Sequence, residues 1–267
     1  MPDYDAFSVN GKTVLITGGT AGIGLGVAAH FVAQGAEVVI SGRRDSGQDI
    51  ANRIGAGFVR MDVSDTGSVA EGMIEAAQKL HGRIDILILN AGIDLEVGMI
   101  DHLDMESFRR IYDVNVFGVV QCLRDGLAHM HAGASVIITS SPAGSKTVPG
   151  MSGYGSSKAA VNYLTKAFAA ELAGRDIRIN GVLPGLVESE MTGSSGDAGF
   201  IRALTLTGKI RQPAEMAGTF QFLASTASSP VTAAIIEADD GLSAGMSIAV
   251  AEAIAAAVAS PNSSNEG

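Results

Sequence analysis

Tyr154 and Lys158 stand four residues apart in the run YGSSK. On a helix, that spacing puts both side chains on one face. A free tyrosine has a pKa of about 10 and is a poor base near neutrality. An adjacent ammonium favours the phenolate and lowers that value. The pair therefore reads as a proton-transfer device, able to take a hydroxyl proton and return it. Ser141 lies thirteen residues upstream of the tyrosine, just after the β-branched run ASVIIT at 134–139. Ligands of open α/β sheets bind at such strand ends. Ser140 is its neighbour and the weaker candidate.

A second run with chemical meaning is TGGTAGIG at 17–24. Its glycines at 18, 22 and 24 allow a pyrophosphate to approach the backbone closely. The helix that opens beside them offers free N–H groups and a favourable dipole. The spacing differs from the commoner G-x-G-x-x-G, and a tight strand–helix turn would look the same. Its place after the first strand of an α/β chain favours the nucleotide reading. The second strand then runs into Ser41, Gly42, Arg43 and Arg44. An acid there would bind a ribose 2′-OH and select NAD. None is present, and guanidiniums pair well with phosphate. NADP(H) is expected over NAD(H), with Arg43 the first candidate. Asp62, after the third strand, is expected either to accept from an adenine amino group or to cap its loop.

The elements that must position these residues alternate along the chain. Strands are expected at 12–17, 37–41, 57–61, 84–89, 134–139, 177–183 and 233–238. Helical spacing runs to about residue 34 after the Gly-rich turn, over 68–80, over a long stretch at 104–130, and over 154–173. Pro213 begins another helix, since proline suits a first turn. Strand and helix in alternation mean a parallel sheet covered on both faces. Strands apolar throughout, not alternating, agree with that. The fold class is thus α/β, a Rossmann-like doubly wound parallel sheet in a single domain over 1–246. An Ala-rich extension and frayed tail occupy 247–267. Residues 189–199 (SEMTGSSGDAG) read as an irregular loop.

Composition narrows the function. The net charge is −10, so a nucleic-acid partner is not expected. The single cysteine, Cys122, allows no intramolecular disulfide and fits a reducing compartment. The first residues carry acids and no apolar core of a secretory signal. No apolar run reaches the roughly 18 residues of a membrane span. A cytoplasmic protein is expected. His129 and His131 have no metal-like partners, so no metal is expected.

Taken together, the motifs resemble the short-chain dehydrogenase/reductase family, in its compact single-domain subgroup. They are TGGTAGIG at 17–24, Asn90-Ala91-Gly92, Asn115 in DVNVFG, Ser141 in ITSSPAG, Tyr154-x3-Lys158 and Pro184-Gly185, in the family's order. The resemblance implies an NADP(H)-dependent oxidoreductase that interconverts a secondary alcohol and a ketone. Tyr154 would be its acid–base residue, and Ser141 would hydrogen-bond the substrate oxygen. It further implies that Lys158 binds the nicotinamide ribose and that Asn115 holds a water in a proton relay to Lys158. Asn90 would tie strands together beside the cofactor. The implied cofactor contacts are Gly18, Thr20, Gly22, Ile23 and Gly24 in the first turn, then Arg43, Arg44, Asp62 and Val63. Asn90, Ala91 and Gly92, with Tyr154, Lys158, Pro184, Gly185, Val187 and Ser189, complete the set. A homotetramer is also implied, with the helices at 104–130 and 154–173 forming one interface.

Some positions depart from the family pattern. Ser189 stands where threonine is usual, and Asp239-Asp240-Gly241 replaces Asp-Gly-Gly. Pro142 removes a backbone donor after the serine. Ala21 sits where many NADP users carry a second basic residue, so the cofactor preference rests on Arg43 and Arg44. Loops at 93–97, 142–153 and 186–206 are expected to bound the pocket. Within them Asp94 and Glu96 are acids, and Lys146 reads as a solvated cation. The alternatives are a 3-oxoacyl-carrier-protein reductase, a nucleotide-sugar epimerase, or a sensor that binds NADP(H) without turnover. A net charge of −10 opposes docking of an acidic carrier protein. The epimerases resemble longer chains, and sensors usually lose the serine or the tyrosine.

Overall fold

The computed structural model describes residues 5–95, 97–188 and 203–259. Seven strands make one sheet: β1 (Thr13–Thr17), β2 (Glu37–Gly42), β3 (Gly57–Arg60), β4 (Ile86–Leu89), β5 (Ser135–Thr139), β6 (Arg178–Pro184) and β7 (Ile235–Ala238). Their order is β3-β2-β1-β4-β5-β6-β7, and every pair is parallel. All the expected strands are found, shifted at their ends by one or two residues.

Successive strand residues face opposite sides of a sheet. On one side, Leu15, Val39, Leu87, Val136 and Ile179 join one apolar cluster. On the other, Val14, Ile16, Ile40, Ile88 and Val182 join a second. Both faces are therefore core. The first cluster lies under α3 (Thr66–Lys79), α5 (Gly118–Gly126) and α6 (Ser152–Leu172). The second lies under α1 (Gly22–Ala33), α2 (Gly47–Ile54) and α7 (Ala217–Ala224). α4 (Met105–Tyr112) precedes α5, and α8 (Ile248–Ala259) is an exposed apolar helix in the Ala-rich extension. No helix among the described residues is long and apolar enough to cross a membrane.

Two differences from the sequence expectation have physical causes. α2 was not expected: it is only eight residues long, although Ile50 and Ala51 turn one face of it to the core. Gly47 is required there, as a Cβ would lie 2.2 Å from the Phe58 ring. The stretch at 104–130 is also not one α-helix. A π turn at Asp113–Phe117 separates α4 from α5. Three consecutive residues, Val114, Asn115 and Val116, are buried in it. An ordinary helical face does not bury three in a row. Such wide turns often occur at functional sites.

Gly24 tests how tightly the first turn is packed. A Cβ there would lie 2.4 Å from the carbonyl oxygen of Gly18 and 2.5 Å from Asn90 Nδ2. Gly24→Ala is expected to destabilise the fold by about 1–3 kcal/mol. Gly218, in the exposed face of α7, has nothing within 4 Å of a Cβ. Gly218→Ala should instead stabilise it by about 0.5–1 kcal/mol. Urea unfolding midpoints of the two variants check both signs.

Candidate functional site

The strand order reverses between β1 and β4, so their connections leave in opposite directions and a crevice opens at the carboxyl edge. The chemistry-bearing residues gather there. β1 ends at Thr17 before the Gly-rich turn, β4 at Leu89 before Asn90, β5 at Thr139 before Ser141, and β6 at Pro184 before Gly185. Asn90 spans three strands. Its Nδ2 donates to the carbonyls of Thr17 (3.3 Å) and Gly18 (3.2 Å), and its Oδ1 accepts from Thr139 Oγ1 (3.2 Å).

α6 carries Tyr154 and Lys158 one turn apart on one face, as their spacing predicts. Lys158 is only 4% exposed, and its Nζ donates to the carbonyl of Thr139 at 3.0 Å. The same Nζ lies 5.6 Å from the centroid of the Tyr154 ring. The Ser141 hydroxyl lies close enough to that of Tyr154 to favour its phenolate. Ser140 turns away and donates to the carbonyl of Lys158 (3.3 Å). Ser141, not Ser140, is therefore the serine beside the tyrosine. Its Oγ also accepts from Ala143 N at 3.2 Å, so Pro142 does not prevent a capped turn.

The electrostatics differ from the sequence expectation. Tyr154 keeps part of its surface open to the crevice, but burial pushes its hydroxyl up to about 12. The Ser141 hydroxyl pulls down, and the charge of Asp94 adds to the rise. Desolvation thus sets the direction, and the one lowering influence is Ser141, not the adjacent ammonium as expected. Lys158 itself responds strongly: burial lowers it to about 8, with Asp94 opposing.

Asn115 sits in the π turn and grips the loop after β4. Its Oδ1 accepts from Ile93 N (2.8 Å), and its Nδ2 donates to Ile93 O (2.8 Å) and Ser157 Oγ (3.1 Å). A Cβ on Gly92 would lie 3.3 Å from Asn115 Oδ1 and 3.4 Å from Lys158 Nζ. Asn115, Gly92 and Lys158 are therefore one packed unit.

The nucleotide side fits the expected cofactor. Gly18 (φ 66°) and Gly22 (φ 52°) adopt left-handed backbone. α1 starts at an alanine that cannot cap it, and no acid lies in its first turn. Its leading N–H groups and dipole are thus available to an anion, with Thr20, Ile23 and Gly24 in the same turn. Gly18 lies against Ala91, where a Cβ would meet the backbone at 2.8 Å. Ser41 Oγ is buried without a partner among the described residues. Arg43 and Arg44 follow β2. Arg43 Nη1 lies 3.7 Å from Asp62 Oδ2, with the arginine exposed and the aspartate half-buried. Asp62 also accepts from Ser64 N (3.0 Å) and Ser64 Oγ (2.7 Å), so its loop-capping role is real. Burial tends to raise its carboxyl, but Ser64 and Arg43 hold it below its usual value. Val63 packs buried against Gly118. Val187 is buried and bridged to Arg211. Pro184 ends β6, and Gly185 abuts Asp239, where a Cβ would lie 2.6 Å from its Cα. Ser189, Glu96 and the irregular loop at 189–199 lie outside the described residues.

Several participants were not singled out from the sequence. Thr139 holds Lys158 through a backbone carbonyl, which leaves no side-chain signature. Ser157 accepts from Asn115 and donates to Tyr154 O (2.7 Å), inside a motif read only for its ends. The departure at Asp239-Asp240-Gly241 gains a function. Asp240 accepts from Arg211 Nε and Nη2, each at 2.7 Å, and so fastens the end of β7 to the segment before α7. Lys146 is exposed, as expected of a solvated cation, and also donates to the carbonyl of Leu242.

Comparison with known proteins agrees with this geometry. A family model described as Enoyl-(Acyl carrier protein) reductase, a branch of the short-chain dehydrogenases/reductases, matches residues 18–243. A cis-4-hydroxycyclohexanecarboxylate dehydrogenase from Sinomonas cyclohexanicum is 34% identical, over 87% of this chain and 97% of the relative. Among solved structures, a 3-ketoacyl-(acyl-carrier-protein) reductase from Brucella melitensis, complexed with NADH, is 30% identical with a TM-score of 0.83. The match covers 88% of this chain and 100% of that one. A short chain dehydrogenase from Burkholderia cenocepacia J2315, in complex with NADP, is 27% identical with a TM-score of 0.83, over 89% and 100% of the two chains. The crevice, its tyrosine–lysine pair and these matches agree, and the chain belongs to the short-chain dehydrogenase/reductase family of nicotinamide-dependent oxidoreductases.

Proposed function

We propose that the protein interconverts a secondary alcohol and a ketone with NADP(H), and that Tyr154 exchanges the proton. The observation that carries this reading is the Ser141–Tyr154 hydroxyl pair, set beside buried Lys158 at the mouth of the β1/β4 crevice. The cofactor, when bound, supplies or accepts the hydride at the carbinol carbon. In reduction, Tyr154 donates its proton to the ketone oxygen as that oxygen gains charge, and Ser141 hydrogen-bonds the same atom. In oxidation, the proton runs the other way. Lys158 and Asn115 hold the tyrosine's surroundings in register. A phenol held at about 12 keeps its proton at neutral pH, so the resting site holds the proton that reduction delivers.

The preference for NADP(H) rests on Arg43 and Arg44 and on the absence of an acid at the end of β2. Arg43 meets Asp62 only loosely, at 3.7 Å. A ribose 2′-phosphate would be a stronger partner than that loose pair. The homotetramer implied by the sequence is supported by Phe117 (60% exposed) and Tyr163 (73% exposed) on the two long helical stretches. Of the small residues there, Ala159 and Ala170 are exposed, whereas Ala169 faces its own core.

NADPH oxidation against a panel of ketones tests the activity. Tyr154→Phe should lower kcat by about 10²–10⁴-fold while NADPH still binds. Arg43→Glu should reduce kcat/KM for NADPH by about tenfold or more and spare NADH. Equal losses with both cofactors would refute the role of Arg43.

Lys158 also predicts a stability signature. Its folded-state pKa is depressed to about 8 from 10.5. Between those values the unfolded chain binds a proton that the folded chain does not, so folding gains stability as pH rises. A Lys158→Met variant lacks this term. Its melting temperature relative to the parent should be highest near pH 7 and fall as pH climbs from about 8 towards 10. A difference that stays constant across that range would contradict a buried, depressed lysine.

A further inference from the structure

Asp94 shares the crevice with the reacting groups but has no task in the proton transfer. It stands one residue beyond Ile93, whose N–H and C=O are both held by Asn115 at 2.8 Å. Two residues before it, Gly92 packs against Lys158 Nζ. The segment carrying Asp94 is therefore fixed against the lysine. Its carboxyl lies close enough to act electrostatically on both Tyr154 and Lys158. The residue is exposed, but its carboxyl is partly desolvated, which raises its pKa against the opposing pull of Lys158; among the described residues it accepts no hydrogen bond and forms no ion pair. An acceptor in this position has no donor from the protein. The hydroxyls of Ser141 and Tyr154 lie close to each other.

We propose that Asp94 is a specificity-determining residue that accepts a hydrogen bond from a neutral hydroxyl next to the reacting carbinol, so that vicinal hydroxyketones and diols are preferred over plain ketones and alcohols. The donor is neutral for an electrostatic reason. Lys158 already supplies a positive charge within reach of Asp94, and its repulsion offsets the attraction that the carboxylate would offer a substrate ammonium. A substrate carboxylate would meet the like charge of Asp94. A hydroxyl takes the open acceptor and adds no charge. The inference rests on the alcohol–ketone reading of the same crevice and narrows its substrate class.

The test compares matched ketones that differ by one α-hydroxyl. Acetoin is paired with butanone, 2-hydroxycyclohexanone with cyclohexanone, and 2-hydroxyacetophenone with acetophenone. The readouts are kcat/KM with NADPH and, separately, the rise in melting temperature that each ketone gives with NADP+ present. The parent protein should favour the hydroxylated member of at least one pair by about tenfold, the scale of a hydrogen bond to a charged group. Asp94→Leu should erase that preference, mainly through KM, and Asp94→Asn should keep part of it because an amide oxygen still accepts. A hydroxyl preference that is absent in the parent, or unchanged in both variants, overturns the proposal. So does a parallel loss on both members of a pair, which would mean that Asp94 acts only on Tyr154. The melting readout separates the two readings. Hydroxyketones that protect in an Asp94-dependent way without being reduced would uphold the subsite and refute the oxidoreductase assignment. Turnover with no effect of Asp94 would do the reverse.

Discussion

The site depends on one side chain that bridges the place where the sheet reverses its order. At the β1/β4 boundary the two strand ends lead to helices on opposite faces, and nothing in the sheet itself closes the gap. Asn90 closes it. Its amide donates to two carbonyls at the end of β1, and its oxygen accepts from β5. Thr17 completes the seam, because its hydroxyl receives the N–H groups of Asn90 (3.0 Å) and Ala91 (3.2 Å). With the carbonyls satisfied, the backbone beyond β1 is free to present N–H groups outward. The same seam sets the height of Thr139, and Thr139 in turn holds Lys158.

Lys158 brings a cost that the rest of the fold must offset. A buried ammonium is disfavoured unless it is paired or hydrogen-bonded. Here it has one backbone carbonyl and an aromatic face at 5.6 Å. Asp94 acts on it from a distance without forming an ion pair. The apolar strands on both faces of the sheet supply the stability that tolerates such a group. The π turn serves the same end. By widening one turn it turns Asn115 inward, where its amide fixes Ile93 and Ser157 around the lysine. Strained or costly features of this kind concentrate where function requires them.

Much of this was legible from residues alone. The central strands bury both faces and so write themselves as apolar runs, whereas the edge strands β3 and β7, only partly buried, were legible from their place in the alternation. The Tyr154–Lys158 pair was legible because i,i+4 spacing on a helix is geometry in itself. The nucleotide turn was legible because Gly18 and Gly22 need left-handed backbone. What was not legible depends on partners distant in sequence. The π turn leaves no periodic trace, and only the loop 22 residues earlier explains it. Thr139 acts through its backbone. Arg43 and Asp62, read as two separate cofactor contacts, meet each other. The pKa of Tyr154 moved the opposite way from expectation, because burial is a property of the whole fold while the lysine spacing is local.

That reversal changes how the proton path is read. In water, tyrosine and lysine hold their protons almost equally, near 10.0 and 10.5. In this crevice the tyrosine is pushed up to about 12 and the lysine down to about 8. Desolvation explains both directions, since it disfavours the phenolate and the ammonium alike. The tyrosine is thereby kept as a proton reservoir, and the lysine is brought to a value where exchange near neutrality is easy. A tyrosinate formed when the substrate takes its proton would be a high-energy species beside a readily surrendered lysine proton. Reprotonation from the Lys158 side is then downhill. Asp94 raises both values, favouring the neutral phenol and the charged ammonium. The burial that keeps Tyr154 protonated at rest also makes its phenolate costly to form, so the proton transfer leans on the neighbours that stabilise that phenolate, Ser141 first among them.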